Sequence, residues 1–183
     1  MTDDSESDFC QTREQIWPIP AVYLVHGKGG SPAGTVRRIE ALLERHWPGL
    51  EFFRPLLPHS NPQIPADCSV EHLLRMEIPQ GALLLGISLG GMVAAKLQET
   101  GRKDLKVISI SSPTWADAVT LDRRADHRLA FYSSCDSVIA SRVSEWPRLA
   151  SFQCDFNWLS HDTDQHLKRI ARIFDWHLEG TLR

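Results

Sequence analysis

The chain lacks the features of secreted disulfide scaffolds, membrane proteins and nucleic-acid binders. Its four cysteines are scattered over 183 residues with no C-x-x-C spacing, so we expect no disulfide framework. No apolar run approaches the roughly 18 residues of a membrane span. The net charge of −3 offers no attraction for nucleic acid or an anionic membrane. Because the acidic start, MTDDSESDF, is also unlike a signal peptide, we predict a reduced, cytoplasmic protein.

Internal repeats and low-complexity linkers are missing as well, so a single domain is expected over residues 16–183. Residues 1–15 are acidic without a set of apolar partners, and we predict a disordered tail there. In the rest of the chain, short apolar runs alternate with amphipathic segments. The predicted strands are Ala21–Val25, Leu50–Leu57, Ala82–Leu85, Val107–Ile110, Leu129–Ser133 and Leu149–Phe156; the predicted helices are Thr35–His46, Val70–Met76, Met92–Thr100 and Gln165–Leu178. This alternation predicts an α/β fold, a mostly parallel sheet with helices on both faces.

The most informative segment that is present is residues 83–95, with the sequence LLLGISLGGMVAA. Ser88 stands at the centre of G-x-S-x-G between an apolar strand and a helix, which is the pattern of a nucleophile elbow. The turn is so tight that Gly86 and Gly90 are needed as residues without a Cβ. The helix that follows directs its N-terminal amides toward a developing oxyanion. The segment therefore predicts the nucleophilic serine of an acyl-transfer enzyme.

An acid and a base follow two later strands. Asp136 comes after the strand 129–133, where an aspartate of a turn or of a helix N-cap is the alternative interpretation. His161 comes after the last strand, and His166, in or near the last helix, is its closest competitor. His161 and His166 lie close in sequence to Asp162 and Asp164, but no third well-spaced histidine or cysteine joins them. We therefore predict no metal site here. The order Ser88, Asp136, His161 is the order found in hydrolases with a nucleophile elbow.

A glycine-rich loop, HGKGGSP, follows the first strand at residues 26–32. Its glycines allow the backbone to approach a substrate carbonyl, and we expect the amide of Lys28 or Gly29 to form an oxyanion hole with that of Leu89. His26 is expected to hold the loop in place. A phosphate-binding role is weakly supported, because the loop matches neither G-x-x-x-x-G-K-[ST] nor G-x-G-x-x-G.

From about Ala21 to the last helix, these motifs resemble those of the small, cap-less bacterial esterases of the α/β-hydrolase superfamily. The resemblance implies an α/β-hydrolase fold with Ser88 as nucleophile, His161 as general base and then acid, and Asp136 as the carboxylate that orients it. It implies no cofactor, and a small-molecule ester or thioester as substrate. Two departures are the Asp162 that follows the histidine and the missing antiparallel strands at the start of the full fold.

Substrate specificity is less constrained by the sequence. Trp115, in a short lid predicted between residues 113 and 128, and Trp158 are candidate walls of an acyl pocket, although either could be a core residue. His59 is placed at the pocket rim. Two alternatives stay open: a non-catalytic, hydrolase-like module that binds a ligand or protein, and a nucleotide-binding α/β protein that uses the HGKGG loop.

Overall fold

The computed structural model describes residues 19–181, and its centre is a parallel sheet. In chain order the strands are β1 (Val22–Val25), β2 (Phe52–Phe53), β3 (Leu83–Ile87), β4 (Lys106–Ile110), β5 (Trp115–Ala116), β6 (Val119–Thr120), β7 (Ala125–Tyr132) and β8 (Ala150–Asp155). The helices are α1 (Thr35–His46), α2 (Ala66–Leu74), α3 (Leu89–Thr100), α4 (Trp146–Leu149) and α5 (Leu167–Thr181). Short 3₁₀ turns occupy Pro58–Ser60, Ala140–Arg142 and Thr163–His166.

Six strands pair in the order β2-β1-β3-β4-β7-β8, and each neighbouring pair is parallel. The remaining two, β5 and β6, form a separate antiparallel hairpin between β4 and β7. This architecture confirms the predicted α/β fold with a mostly parallel sheet. Because parallel strands all end at the same edge, the loops after β1, β3, β7 and β8 are gathered on one side of the molecule.

The sheet is buried on both faces, as the near-continuous apolar runs predict. Side chains alternate along β1, so that Tyr23 and Val25 pack toward α2 and α3 while Val22 and Leu24 pack toward α1 and α5. Burying a side chain of this size contributes roughly 1.5–3 kcal/mol. The two apolar layers therefore fix the sheet edge from which the candidate site residues project.

Most elements differ by a few residues from their predicted bounds, and three of the differences have a clear physical reason. The second strand pairs only over Phe52–Phe53, because it lies at the edge of the sheet and Pro55 has no amide to continue the ladder. The predicted lid over 113–128 is instead the β5–β6 hairpin followed by the first part of β7. The helix after the elbow begins at Leu89 rather than Met92, because Gly90 and Gly91 fit inside a closely packed first turn.

The tail predicted for residues 1–15 lies outside the described residues, and the domain boundaries stay a prediction. Within residues 19–181, no helix has both the length and the apolar character needed to cross a bilayer. The three cysteines in that range, Cys68, Cys135 and Cys154, are unpaired.

Candidate active site

Ser88 occupies a strained turn between β3 and α3. Its φ of 51° and ψ of −126° lie in a region that residues other than glycine rarely adopt. The turn is held from both sides, because the Ser88 amide donates to the Ile110 carbonyl at 2.8 Å and its carbonyl accepts from the Gly91 amide at 3.0 Å. The strained backbone directs the hydroxyl away from the helix axis and into the loops at the sheet edge.

The elbow glycines permit backbone contacts that no other residue allows. A Cβ on Gly86 would lie 2.4 Å from the Cα of Gly91, and one on Gly90 would lie 2.4 Å from the carbonyl oxygens of Val25 and His26. Gly86 thus allows the turn to close on itself, as predicted. Gly90 has a further function, since it brings the first turn of α3 against the end of β1, from which the glycine-rich loop departs.

A continuous hydrogen-bond chain links Ser88, His161 and Asp136. The Ser88 Oγ lies 3.2 Å from His161 Nε2, and His161 Nδ1 lies 3.1 Å from Asp136 Oδ2. These side chains follow β3, β8 and β7. The arrangement suits a histidine whose Nδ1–H donates to the carboxylate while Nε2 accepts the serine proton.

Asp136 combines the two interpretations that its sequence position allows. The residue is 5% exposed. Its Oδ1 accepts the Val138 amide at 3.0 Å, as in a turn aspartate, and Oδ2 faces the histidine. The turn therefore holds the carboxylate in the orientation that the His161 contact requires.

His166 does not contact Ser88. Its Nε2 lies 3.0 Å from the Ser160 hydroxyl, and its ring meets that of Trp158 at 5.4 Å between centroids. The physical reason is its position at the end of the 3₁₀ turn Thr163–His166, which directs it toward α5. Of the two candidate bases, only His161 reaches the serine.

The glycine-rich loop passes directly over Ser88. A Cβ on Gly27 would lie 3.3 Å from the Ser88 Cβ and 3.8 Å from its Oγ. Of the two candidate donors, the Gly29 amide donates to the His59 carbonyl at 2.9 Å, which removes it from that role. Within residues 19–181, the amides of Lys28 and Leu89 have no hydrogen-bond acceptor, so both are available to an oxyanion.

Two buried histidines, His26 and His59, support this loop. His59, placed at the rim by the sequence, is fully buried: its Nε2 donates to the His26 carbonyl at 2.8 Å, and its Nδ1 accepts from Ser69 at 2.8 Å. His26 Nδ1 donates to the Gly27 carbonyl at 2.9 Å. Burial lowers the pKa of His59 to about 4 and that of His26 below its usual value. Both rings are therefore neutral hydrogen-bonding supports at pH 7.

The other end of the loop is held by Arg54, which follows β2. Its guanidinium donates to the Pro32 carbonyl and to the buried carboxylate of Glu40 on α1. The loop is thus anchored at both ends. Anchoring of this kind keeps the Lys28 amide in one orientation, which an oxyanion donor requires.

The same geometry bears on the alternative chemistries. The Gly30 amide donates to the Gly27 carbonyl at 3.0 Å, and with the Gly29 amide also engaged, two donors of a phosphate cradle are lost. In the described part of the chain, no group of three histidine, cysteine, aspartate or glutamate side chains could hold a metal ion.

Neither candidate tryptophan lines the cavity of about 410 Å³ that opens on Ser88. Trp158 packs against Phe156 and under the guanidinium of Arg169, toward α5, because the chain after β8 turns its side chain away from the site. Trp115 is 42% exposed in the β5–β6 hairpin, 4.2 Å from the Arg142 guanidinium. The cavity is instead bordered by the glycine-rich loop, the start of α1 and His161.

Comparisons with known proteins agree on the fold. A protein assigned to the α/β hydrolase superfamily from Xanthomonas campestris is 18% identical, with 88% of this chain and 99% of that chain covered at a TM-score of 0.64. The ydeN gene product from B. subtilis is 16% identical, with coverages of 87% and 98% and a TM-score of 0.64. ClbQ from the colibactin NRPS/PKS pathway is 12% identical, with coverages of 87% and 97% and a TM-score of 0.62. No family model matches the sequence, and no curated protein sequence matches it. The chain has the α/β-hydrolase fold.

Proposed function

We propose that the protein is a serine hydrolase that cleaves a carboxylic ester or thioester through an acyl-enzyme intermediate. The observation that carries the proposal is the hydrogen-bond chain from Ser88 through His161 to the buried Asp136, built from the ends of three different strands. A side-chain constellation of this kind is defined by geometry and roles, and the fold alone would not support an activity.

In the proposed mechanism, His161 Nε2 takes the proton of Ser88 as the hydroxyl attacks the acyl carbon. The carbonyl oxygen gains negative charge and accepts hydrogen bonds from the amides of Lys28 and Leu89, where losing one donor typically costs about 2.7–4 kcal/mol. His161 then protonates the departing alcohol or thiol. Water, deprotonated by the same nitrogen, attacks the acyl-enzyme and releases the carboxylic acid and free Ser88.

The cavity supports a small acyl group. Val36 and Ile87 supply the apolar side chains of its lining, and the rest comes from glycines and polar residues. A long acyl chain would find little apolar surface to bury there, whereas an acetyl or propionyl group needs little. A small-molecule substrate and a cytoplasmic location stay predictions.

A fluorophosphonate probe tests the proposal directly, because it reacts with an activated serine. We expect covalent labelling of the wild type, loss of labelling in Ser88→Ala, and retained labelling in the matched control Ser137→Ala, which removes an exposed serine beside the acid. Hydrolysis of p-nitrophenyl acetate should follow the same order. A folded wild type that neither reacts with the probe nor hydrolyses the ester would instead favour a non-catalytic binding module.

A further inference from the structure

A second concave surface lies beside the candidate active site. It is a groove of about 760 Å³ between the outer side of α1 and the segment formed by the 3₁₀ turn Thr163–His166 and the start of α5. We call it the basic groove, because Arg38, Arg45, Lys168 and Arg169 line it. Asp164 is the one carboxylate among its lining residues.

The positive charge of the basic groove is only partly neutralised by its own carboxylate. Arg38 pairs with Asp164 at 2.7 Å, and Arg169 stacks on Trp158 at 4.7 Å from the ring centroid. Arg45 and Lys168 have no ion pair within residues 19–181. Since the whole chain carries a net charge of −3, this cluster runs against the overall sign of the protein. A local excess of that kind attracts an anionic ligand.

The basic groove and the Ser88 cavity are bordered by the same two segments of the chain. Val36 of α1 and Thr163 border the cavity, whereas Arg38 and Asp164, further along the same two segments, border the groove. The Arg38–Asp164 ion pair therefore involves the groove residues that are nearest in the chain to the cavity. From Val36 to Arg45 the helix extends about 14 Å, at 1.5 Å per residue. A ligand that reaches from the serine to the unpaired cations must have a long connecting arm.

The position of His161 indicates which part of a substrate would lie in the groove. His161 protonates the leaving group, so the leaving group must lie beside it. The groove begins at Asp164, shortly after His161 in the chain, whereas the oxyanion loop borders the other part of the cavity. The acyl group is accordingly directed away from the basic groove.

We infer that the basic groove binds the phosphate groups of a substrate's leaving group, and that the substrates are acyl thioesters of a phosphorylated, long-armed thiol of the coenzyme A type. The inference rests on the proposed function. In the reaction, a bond forms between Ser88 Oγ and the acyl carbon as the carbon–sulfur bond breaks, and the serine proton passes through His161 to the thiolate. Water then cleaves the acyl-enzyme, which yields the carboxylic acid and the free thiol.

The test compares acetyl-coenzyme A with the acetyl thioester of N-acetylcysteamine, which has the same reacting bond and no phosphates. We expect wild type to favour acetyl-coenzyme A in kcat/KM, with a preference that falls as salt rises. The Arg45→Gln/Lys168→Gln double variant should reduce the ratio of the two kcat/KM values roughly fivefold, since each lost charge contact contributes modestly. The matched control Lys103→Gln/Arg124→Gln removes two exposed cations elsewhere and should keep the wild-type ratio.

A binding measurement separates failure of this inference from failure of the proposed function. Calorimetric titration of Ser88→Ala with coenzyme A should give binding that weakens roughly fivefold when Arg45→Gln/Lys168→Gln is added and that pantetheine does not reproduce. Coenzyme A binding with no esterase activity would retain the groove and reject the hydrolase. Hydrolysis of p-nitrophenyl acetate with no coenzyme A binding, or with equal rates on both thioesters in all variants, would overturn the groove inference alone.

Discussion

Arg128 and Asp136 are both buried ionisable residues of the β7 region, but the structure treats them very differently. Arg128, in β7, is fully buried and donates five hydrogen bonds, to Gln98, Glu99 and three backbone carbonyls. Asp136, just beyond the carboxyl end of the strand, is also buried, yet among residues 19–181 its carboxylate accepts only from the Val138 amide and His161. The guanidinium of Arg128 thus has many fixed acceptors, whereas the carboxylate of Asp136 faces the side chain of the half-buried His161.

This difference separates a charge that stabilises the fold, that of Arg128, from one that we propose to act in the reaction, that of Asp136. A buried cation whose three guanidinium nitrogens all donate anchors α3 and the end of α4 to β7, and removing it takes a donor from three backbone carbonyls and from the side chains of Gln98 and Glu99. In the proposed mechanism, the buried carboxylate of Asp136 orients His161, so we expect it to contribute less to stability and more to the direction of proton transfer. Substitutions of Asp136 should therefore affect mainly the activity, and substitutions of Arg128 mainly the free energy of unfolding.

The largest expected effect is on activity at the carboxyl end of the sheet. Asp136→Asn should lower kcat for p-nitrophenyl acetate by about 10⁴-fold, because an amide favours the wrong tautomer of His161. The free energy of unfolding, measured in urea, should change far less. Asp126→Asn, which changes an exposed acid on the preceding strand β7, serves as the control. Equal activity of the two variants would mean that Asp136 is only a turn residue.

The next largest effect is expected on stability, at Arg128. Arg128→Met should lower the free energy of unfolding by about 3 kcal/mol, because several buried acceptors lose their donor. The kcat of the folded fraction should stay within a few-fold of wild type. Urea titration alongside Arg124→Met, which removes an exposed arginine nearby, provides the comparison. If Arg128→Met proved as stable as this control, the buried network would contribute nothing net.

A pH effect of similar size is expected from His59. Its pKa of about 4 lies below the usual 6.5 of an unfolded histidine, so the unfolded chain binds the proton more readily. Stability is complete above about pH 6.5 and falls as the pH drops toward 4, by about 3 kcal/mol at most. The free energy of unfolding of His59→Gln should depend less on pH over this window. His72→Gln, at an exposed site, should keep the wild-type slope.

The smallest effect is expected where a charge pair near the site is exposed. Lys28 Nζ lies 3.4 Å from Asp117 in the β5–β6 hairpin, with the two side chains 42% and 32% exposed. Lys28→Met should change the free energy of unfolding by less than about 0.5 kcal/mol, because water screens such pairs. Since the backbone amide remains, kcat for p-nitrophenyl acetate should change less than threefold. A larger loss would give the ion pair a part in positioning the oxyanion loop.

Sequence patterns predicted the features that depend on local geometry. The elbow could be read from Gly86-x-Ser88-x-Gly90, because a tight turn restricts residue types within a few positions. The bounds of α1 were predicted from its apolar spacing, and they match Thr35–His46. The second strand was predicted too long, because its position at the sheet edge depends on the order of the strands.

Residues whose roles depend on distant partners could not be assigned in this way. His59 was placed at the rim because it follows the second predicted strand. Its burial depends on Ser69 and on the His26 carbonyl, which only folding brings near. Trp158 was a candidate pocket wall because it lies near His161 in the sequence. In the structure its side chain instead packs against Phe156, on the side that faces α5. Arg128 carried no signal of burial, because its acceptors come from three separate segments: α3, the loop before β7 and the end of α4.

The sequence by itself determined an α/β fold and the elbow around Ser88, because apolar periodicity and glycine spacing act over short distances. Only the tertiary structure decided that His161 rather than His166 reaches the serine, and that the Lys28 amide rather than the Gly29 amide is free. Those choices depend on ångström-scale distances between separate strand ends, and such distances arise only when the two apolar layers pack against the sheet.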